Sequence, residues 1–227
     1  MVEFQANGDR ADGYLAVPAS GAGPGVLVIQ EWWGLVPQIK RVCDRLAGEG
    51  FTALAPDLFH GDIAEHTEMD KAEELMNALP PERAARDMSA AISYLLANPA
   101  ARGDAVGVVG FCMGGLLAFL ISAQEGARVR ATVAFYGAPL GEGAPDVSAL
   151  SASVLGHFAE EDTFFPAPAA RELEAELKGL GKDVTFHFYP GCGHGFANEE
   201  NPLGTHSPEH TPQAWARTIA FLRETLD

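Results

Sequence analysis

The sequence predicts an α/β protein in which a mostly parallel sheet is covered by helices on both faces. Apolar runs of strand length alternate along the chain with longer segments of helical periodicity, and this alternation is typical of repeated strand–helix–strand units. The chain has 227 residues, of which 47% are hydrophobic, so it can bury one sizeable core. We therefore expect a single α/β domain over residues 1–227.

The strands are predicted from short apolar or alternating runs bounded by turn-forming residues. The first, residues 13–18, is predicted to be an edge strand that ends in a loop rich in Ala and Gly. The other predicted strands span residues 25–30, 51–55, 105–111, 129–136, 153–158 and 184–189. Helices are predicted at residues 36–47, 66–98, 113–123, 167–180 and 211–226, the second of them in two pieces because Pro80-Pro81 interrupts it.

The charge of the chain excludes several classes of partner. The formal net charge is −16 and the sequence pI is near 4.7, so the surface repels nucleic acid and anionic lipid. No apolar run approaches the roughly 20 residues that cross a bilayer, and the first residues lack the pattern of a secretory signal. Three cysteines are too few for a disulfide framework. We expect a cytoplasmic monomer that acts on a small molecule.

A nucleophile motif stands at the junction of the predicted strand 105–111 and the next helix. The sequence there is Gly110-Phe111-Cys112-Met113-Gly114, the G-x-S-x-G elbow of α/β-hydrolases with sulfur in place of oxygen. The following helix offers the positive end of its dipole and the N–H of Met113, which favour a thiolate and an oxyanion. The alternative is a small buried cysteine in a chance match. The flanking strand and helix favour the α/β-hydrolase fold with Cys112 as nucleophile.

The other two members of a triad follow the nucleophile in the order acid and then histidine in this fold. Asp162 lies after the predicted strand 153–158, and His194 lies in a glycine-rich loop after the strand 184–189. Asp162 would orient His194, which would exchange protons with Cys112 and with water. Glu160 and Glu161 remain alternative acids, and any of the three carboxylates has a surface interpretation.

Other histidines are weaker candidates. His187 alternates with Phe186 and Phe188 within a predicted strand, which favours packing. His206 and His210 lie beyond the glycine-rich loop and have a surface interpretation.

Glu31 ends the predicted strand 25–30 at the position that supplies the second oxyanion N–H in this fold. The backbone N–H of Trp32 is the expected donor, and the Glu31 carboxylate could contact the Cys112 thiol. The alternative is a strand-end glutamate that faces water. We expect Trp32 and Trp33 to form pocket walls, although both have a plain core interpretation.

These residues together resemble the dienelactone hydrolase family, the carboxymethylenebutenolidase-like proteins, over nearly the whole chain. The resemblance is carried by five motifs: Gln30-Glu31-Trp32-Trp33-Gly34, Ala55-Pro56-Asp57-Leu58-Phe59, Gly110-Phe111-Cys112-Met113-Gly114-Gly115, Asp162 with Phe165-Pro166, and Gly193-His194-Gly195-Phe196. It implies a Cys112–His194–Asp162 triad with Glu31 as partner of the resting thiol. It also implies hydrolysis of activated carboxylic esters or lactones without metal or cofactor.

The chain departs from the family pattern where substrate carboxylates are bound. Members that cleave dienelactones carry an arginine shortly after the catalytic histidine, and Asn198 stands there in this sequence. A second arginine has no clear counterpart, and only Lys71, Arg83 and Arg86 lie near the expected place. We expect neutral esters to be preferred, in a pocket lined by Trp33, Tyr136 and Asn198.

Three other functions are compatible with the sequence. Cys192, His194, His206 and His210 include the residue types of a zinc site, although their spacing matches no metal motif. A hydrolase scaffold can serve a non-catalytic binding protein. A redox sensor would need Cys192 to approach Cys112 in space.

Overall fold

The computed structural model describes residues 1–6, 8–141 and 145–227, and these ranges contain one eight-stranded sheet. The strands, numbered along the chain, are β1 Val2–Ala6, β2 Asp9–Ala16, β3 Gly23–Ile29, β4 Thr52–Pro56, β5 Ala101–Phe111, β6 Val129–Phe135, β7 Ser153–Ala159 and β8 Val184–Tyr189. They lie in the order β1-β2-β4-β3-β5-β6-β7-β8. Only β1–β2 and β2–β4 pair antiparallel in the described ranges. The predicted mostly parallel sheet is confirmed.

Helices cover both faces of this sheet. They are α1 Pro37–Gly48, α2 Met69–Ala78, α3 Pro81–Ala97, α4 Met113–Glu125, α5 Ala167–Gly179 and α6 His210–Leu226, with a short 3₁₀ turn at Gly126–Arg128. Helices α1 and α6 pack on one face, and α3, α4 and α5 pack on the other. None of the helices in the described ranges is long and apolar enough to cross a bilayer.

The centre of the sheet is buried on both faces, as parallel strands covered by helices must be. All seven residues of β3 are buried. Because successive side chains point to opposite faces, Leu27 and Ile29 pack toward α3 and α4, whereas Val26 and Val28 pack toward α1 and α6. Two apolar cores therefore hold the central strands in a fixed register.

The prediction that residues 13–18 form the edge strand was wrong. Strand β2 ends at Ala16 and lies between β4 and an additional strand, β1. Phe4 and Ala6 of β1 are buried and their neighbours are exposed, because β1 covers the core with one face only. Strand β5 also begins earlier than predicted, at Ala101, since Gly23 and Pro24 pair with Ala101 and Arg102 before a register shift.

The carboxyl ends of five strands meet at one edge of the sheet and carry the polar residues singled out in the sequence. Glu31 follows β3, Cys112 follows β5, Tyr136 follows β6, Asp162 follows β7 and His194 follows β8. Ligands of open α/β sheets bind in the crevice outside the carboxyl ends of the strands. The fold therefore places the candidate site residues on one side of the molecule.

The start of α4 fits against β3 only because Gly114 has no side chain. A Cβ at Gly114 would lie 2.5 Å from the carbonyl oxygens of both Ile29 and Gln30. These are backbone atoms that cannot rotate away, so the helix could not approach the sheet as closely with any other residue. This close approach brings the residue before α4 beside the end of β3.

We predict that Gly114→Ala destabilises the protein by about 2 kcal/mol or more, because overpacking against backbone outweighs the better helix propensity of alanine. Gly48→Ala is the matched control, since Gly48 is also helical and a Cβ there meets no atom within 4 Å. It should leave the free energy of unfolding unchanged or raise it by up to about 1 kcal/mol. Urea unfolding monitored by circular dichroism measures both, and equal effects would contradict the account.

Candidate active site

Cys112 lies in a strained turn between β5 and α4. Its backbone has φ 54° and ψ −120°, a region that residues with a Cβ rarely adopt. The turn is held by a hydrogen bond from the Cys112 N–H to the Phe135 carbonyl, at 3.0 Å. A Cβ at Gly110 would lie 1.9 Å from the Gly114 carbonyl oxygen, so the first glycine of the motif is required by contact. Cys112 itself is partly exposed at the start of α4.

His194 and Asp162 are hydrogen-bonded in the structure. Nδ1 of His194 donates to Oδ2 of Asp162 over 2.9 Å, because an ionised carboxylate can only accept. The other carboxylate oxygen, Oδ1, accepts the backbone N–H groups of Phe164 and Phe165 at 2.8 and 2.9 Å. Asp162 is therefore fixed by three hydrogen bonds, and it fixes the ring of His194 with Nε2 free to face the thiol.

The surroundings of His194 favour its protonated form. Burial alone would lower its pKa, but hydrogen bonds to Asp162 and Cys112, together with their negative charges, outweigh burial and raise the pKa to about 10. The rings of Phe164, Phe165 and Tyr136 lie 4.8, 5.7 and 5.1 Å from the imidazole. At neutral pH the site therefore favours the imidazolium form of His194.

Neither of the alternative acids contacts His194. The Glu160 carboxylate is paired with Arg171 at the surface. Glu161 is exposed, and its N–H donates to the Cys192 carbonyl. Of the three consecutive carboxylates, the structure brings only Asp162 to the imidazole among the described residues.

Glu31 is buried and bonded through both carboxylate oxygens. The Tyr136 hydroxyl donates to Oε1 over 2.9 Å, and Nδ2 of Asn198 donates to Oε2 over 2.8 Å. The described residues show no hydrogen bond between Glu31 and Cys112, although both border one small cavity. The hydrogen bonds of the Glu31 carboxylate go to Tyr136 and Asn198 instead.

This buried network has shifted proton affinities. Burial raises the pKa of Glu31, while the bonds from Tyr136 and Asn198 and the charges of His194 and His66 oppose that shift. Burial and the adjacent Glu31 also raise the pKa of Tyr136 well above its usual value, so its hydroxyl stays a donor. Tyr136 adopts φ 39°, and this strain is held by its burial and its bond to Glu31.

Two backbone N–H groups that border the cleft with Cys112 have no hydrogen-bond acceptor among the described residues. Met113 is the first residue of α4, so its N–H has no partner within the helix. Trp32 lies in the turn after β3, and its N–H donates to no acceptor in the part of the chain that the structure describes. These are the two donors expected from the sequence.

Three residues that we expected to line the substrate pocket are almost fully buried. Trp33, Tyr136 and Asn198 are at most 1% exposed, because they pack against His66, Phe111 and Glu31. Trp33 and Asn198 border a small cavity of about 10 Å³ that Cys112 and His194 also line, and it has room for about one water molecule. Asn198 is also a buried hydrogen-bond partner of Glu31.

The open cleft lies on the other side of Cys112. It has a volume of about 770 Å³ and borders both Cys112 and His194, which suits a small organic ligand. Its apolar side chains come from α2, α4 and the loop after Asp162, and include Met69, Met76, Leu116, Leu120, Phe164 and Phe165. These residues were not identified from the sequence. Helix α4 is apolar on nearly every face, and this pattern could have indicated that it lines a cleft.

The candidate zinc ligands and the second cysteine have other roles. Among the described residues, no group of three or more His, Cys, Asp or Glu side chains is arranged to hold a metal ion. The His206 N–H donates to Oδ1 of Asn201, and the His210 N–H, at the start of α6, donates to Oγ of Ser207. Cys192 is buried, and burial raises the pKa of its thiol, which disfavours the reactive thiolate.

The comparisons with known proteins identify the family of this chain. The model of the dienelactone hydrolase family matches residues 11–226. The chain is 35% identical to Protein usf of Aquifex pyrophilus over 232 residues, covering 100% of this chain and 98% of the relative. It is 31% identical to carboxymethylenebutenolidase 1 of Cupriavidus pinatubonensis over 228 residues, covering 97% and 94%.

A solved structure titled m3DLH superposes with a TM-score of 0.85 at 27% identity, covering 100% of this chain and 97% of that one. The family match spans almost the whole sheet and all five strand ends that carry the site. The chain belongs to the dienelactone hydrolase family and has the fold of an α/β hydrolase.

Proposed function

We propose that the protein hydrolyses activated carboxylic esters or lactones, with Cys112 as nucleophile, His194 as acid and base, and Asp162 as the residue that orients His194. One observation carries this proposal. The partly exposed thiol at the start of α4 shares a cleft with an imidazole whose other nitrogen is bonded to a buried carboxylate. A nucleophile, a base and an orienting acid in this order are the parts of a hydrolytic triad.

Electrostatics prepares the thiol for attack. The protonated form of His194 is favoured, since its pKa is raised to about 10 with Asp162 and Cys112 among the causes. The dipole of α4 places partial positive charge beside the sulfur. Both effects place positive charge beside a partly exposed sulfur, which is the environment in which reactive cysteines are found.

In the first step the Cys112 sulfur attacks the carbonyl carbon and forms a C–S bond. The carbonyl oxygen becomes an oxyanion, for which the N–H groups of Trp32 and Met113 are the proposed donors. The intermediate collapses by breaking the bond to the leaving oxygen, and His194 gives that oxygen a proton. The products are a thioester on Cys112 and an alcohol, or an open chain bearing a hydroxyl if the substrate is a lactone.

In the second step neutral His194 takes a proton from water as the water oxygen attacks the thioester. The new tetrahedral intermediate breaks its C–S bond, which releases the carboxylic acid and returns the thiolate beside a protonated His194. The atoms and charges balance without another reactant. Asp162 keeps its hydrogen bond to Nδ1 of His194 in both steps, and it stabilises His194 whenever the imidazole is protonated.

The proposed role of Glu31 is electrostatic positioning. Its carboxylate accepts hydrogen bonds from Tyr136 and Asn198, and these bonds anchor the residue that precedes Trp32. A movement of the carboxylate away from Tyr136 would be needed for direct proton exchange with Cys112. We therefore place Glu31 beneath the reacting atoms.

We expect Cys112→Ala to lower hydrolysis of an activated aryl ester by at least about a thousandfold, the scale for removing a nucleophile. Cys43→Ala is the matched control, because Cys43 is buried in α1 and belongs to the core. The control should keep the activity of the unmodified protein. Retention of full activity by Cys112→Ala would refute the proposal, and no activity in any form of the protein would favour a binding role.

A second prediction concerns the leaving group. From the tetrahedral intermediate a thiolate departs far more readily than an amine or a simple alkoxide, and proton donation by His194 offsets this by only about 10²–10⁴-fold. Aryl esters, enol esters and lactones should therefore react well, while alkyl esters and anilides of the same acid should scarcely react. Cys112→Ser should also be much slower, because a hydroxyl is less acidic than a thiol.

Initial rates for an aryl ester, an ethyl ester and an anilide of one acyl group measure this dependence. Similar rates for all three would mean that sulfur is not the attacking atom.

A further inference from the structure

We infer that the open cleft is an acyl-chain site, so that the preferred substrates are neutral esters of unbranched apolar acids of up to about ten carbons. This inference rests on the proposed function, because it assigns the cleft to the acyl group that Cys112 would carry. It goes beyond that function because it names the class of acid and the residues that limit the length of its chain.

The cleft begins at the nucleophile and follows one helix away from it. Cys112 precedes α4, and Leu116 and Leu120 lie four and eight residues further along the same helix face; all three border the cleft. At about 1.5 Å per residue, Leu120 lies about 12 Å along the helix from Cys112. An extended chain advances by about 1.25 Å per carbon, given C–C bonds of about 1.5 Å, so roughly ten carbons reach Leu120.

The opposite wall and the mouth are also apolar. Met69, Met76 and Leu79 line the cleft from α2 and the residue that follows it, and Phe164 lies between the cleft and His194. Phe164 is 56% exposed and Met69 is 42% exposed, although most large apolar side chains of the chain are buried. Exposed apolar residues around one opening mark a binding surface, and flexible methionines adapt to a chain of variable shape.

The charges around the cleft disfavour a substrate whose acyl chain carries a carboxylate at its far end. Among the described residues that line it, none is Lys or Arg, and Glu73 is the one carboxylate. The cations nearest in sequence are engaged elsewhere: Lys71 faces Glu68, Arg83 donates to the Leu58 carbonyl, and Arg86 pairs with Asp9 and Asp87. His194 is the one cationic group on the lining, so a carboxylate held away from it, further along α4, would be desolvated without a partner, which is strongly unfavourable.

The apolar wall sets the expected dependence on chain length. Burial of one methylene group contributes about 0.8 kcal/mol, which corresponds to about a fourfold increase in kcat/KM. The increase should continue while added carbons still enter the cleft and stop where the chain passes Leu120. General hydrophobic attraction would instead raise kcat/KM with every added carbon, without a limiting chain length.

The experiment measures kcat/KM for 4-nitrophenyl esters from acetate to tetradecanoate. We expect a rise of up to about fourfold per carbon, with a plateau near ten carbons. Leu116→Trp should move the plateau to about five carbons and Leu120→Trp to about eight. Leu120→Ala, which removes volume, should move it to longer chains, so an effect in either direction is measurable even if one tryptophan variant fails to fold. Gln124→Trp is the control, because Gln124 is an exposed residue one turn further along α4 and outside the cleft.

Two further pairs of substrates test the charge and the side of the ester. The mono-4-nitrophenyl ester of octanedioic acid should have a kcat/KM at least about a hundredfold below that of the octanoate, since its free carboxylate would enter the cleft. Lengthening the alkyl group on the phenol of an acetate ester should give no comparable rise.

A flat acyl series, an equally good dicarboxylic half-ester or a rise only with the phenol alkyl chain would each overturn the acyl-chain assignment. Turnover of the acetate ester by the unmodified protein, lost in Cys112→Ala, tests the proposed function separately. If the rate does not depend on acyl-chain length but the acetate ester is still hydrolysed, the acyl-chain assignment is wrong and the proposed function is not affected.

Discussion

The tight turn at Cys112 is the constraint on which the rest of the structure depends. Its positive φ is tolerated because Gly110 and Gly114 let the strand, the helix and the end of β3 approach to backbone contact. The two apolar cores on either side of the sheet hold these elements together and so offset the strain. The result is one partly exposed sulfur at the positive end of α4, at the edge where five strands deliver their polar residues.

Much of the fold could be predicted because its signals are local. The alternation of apolar runs and helical segments predicts the parallel sheet, and the glycine spacing around Cys112 predicts the turn between strand and helix. Strand β1 was missed since its alternation covers only Val2–Ala6. The Asn7-Gly8 dipeptide that follows is typical of hairpins, and it was the stronger signal for a strand pair at the amino terminus.

The site could be predicted only as far as the order of its residues along the chain. Order predicts Asp162 and His194, but their hydrogen bond and the choice of Asp162 over Glu160 depend on loop geometry. Asn198 and Glu31 are 167 residues apart in the sequence. Nothing in the sequence indicates that their side chains are hydrogen-bonded to each other. The cleft could not be predicted either, because its walls come from α2, α4 and a loop that only the folded chain brings together.

The proposed mechanism requires the acyl group to form a covalent bond with the Cys112 sulfur. The most direct measurement mixes the protein rapidly with an activated aryl ester, quenches the reaction in acid at a series of times, and determines the intact mass and the labelled peptide. We expect a mass increase of one acyl group on the peptide that contains Cys112, formed with the released phenol and lost as the acid appears. Acylation of a different residue, or steady hydrolysis with no acyl group on Cys112 at any quench time, would contradict it.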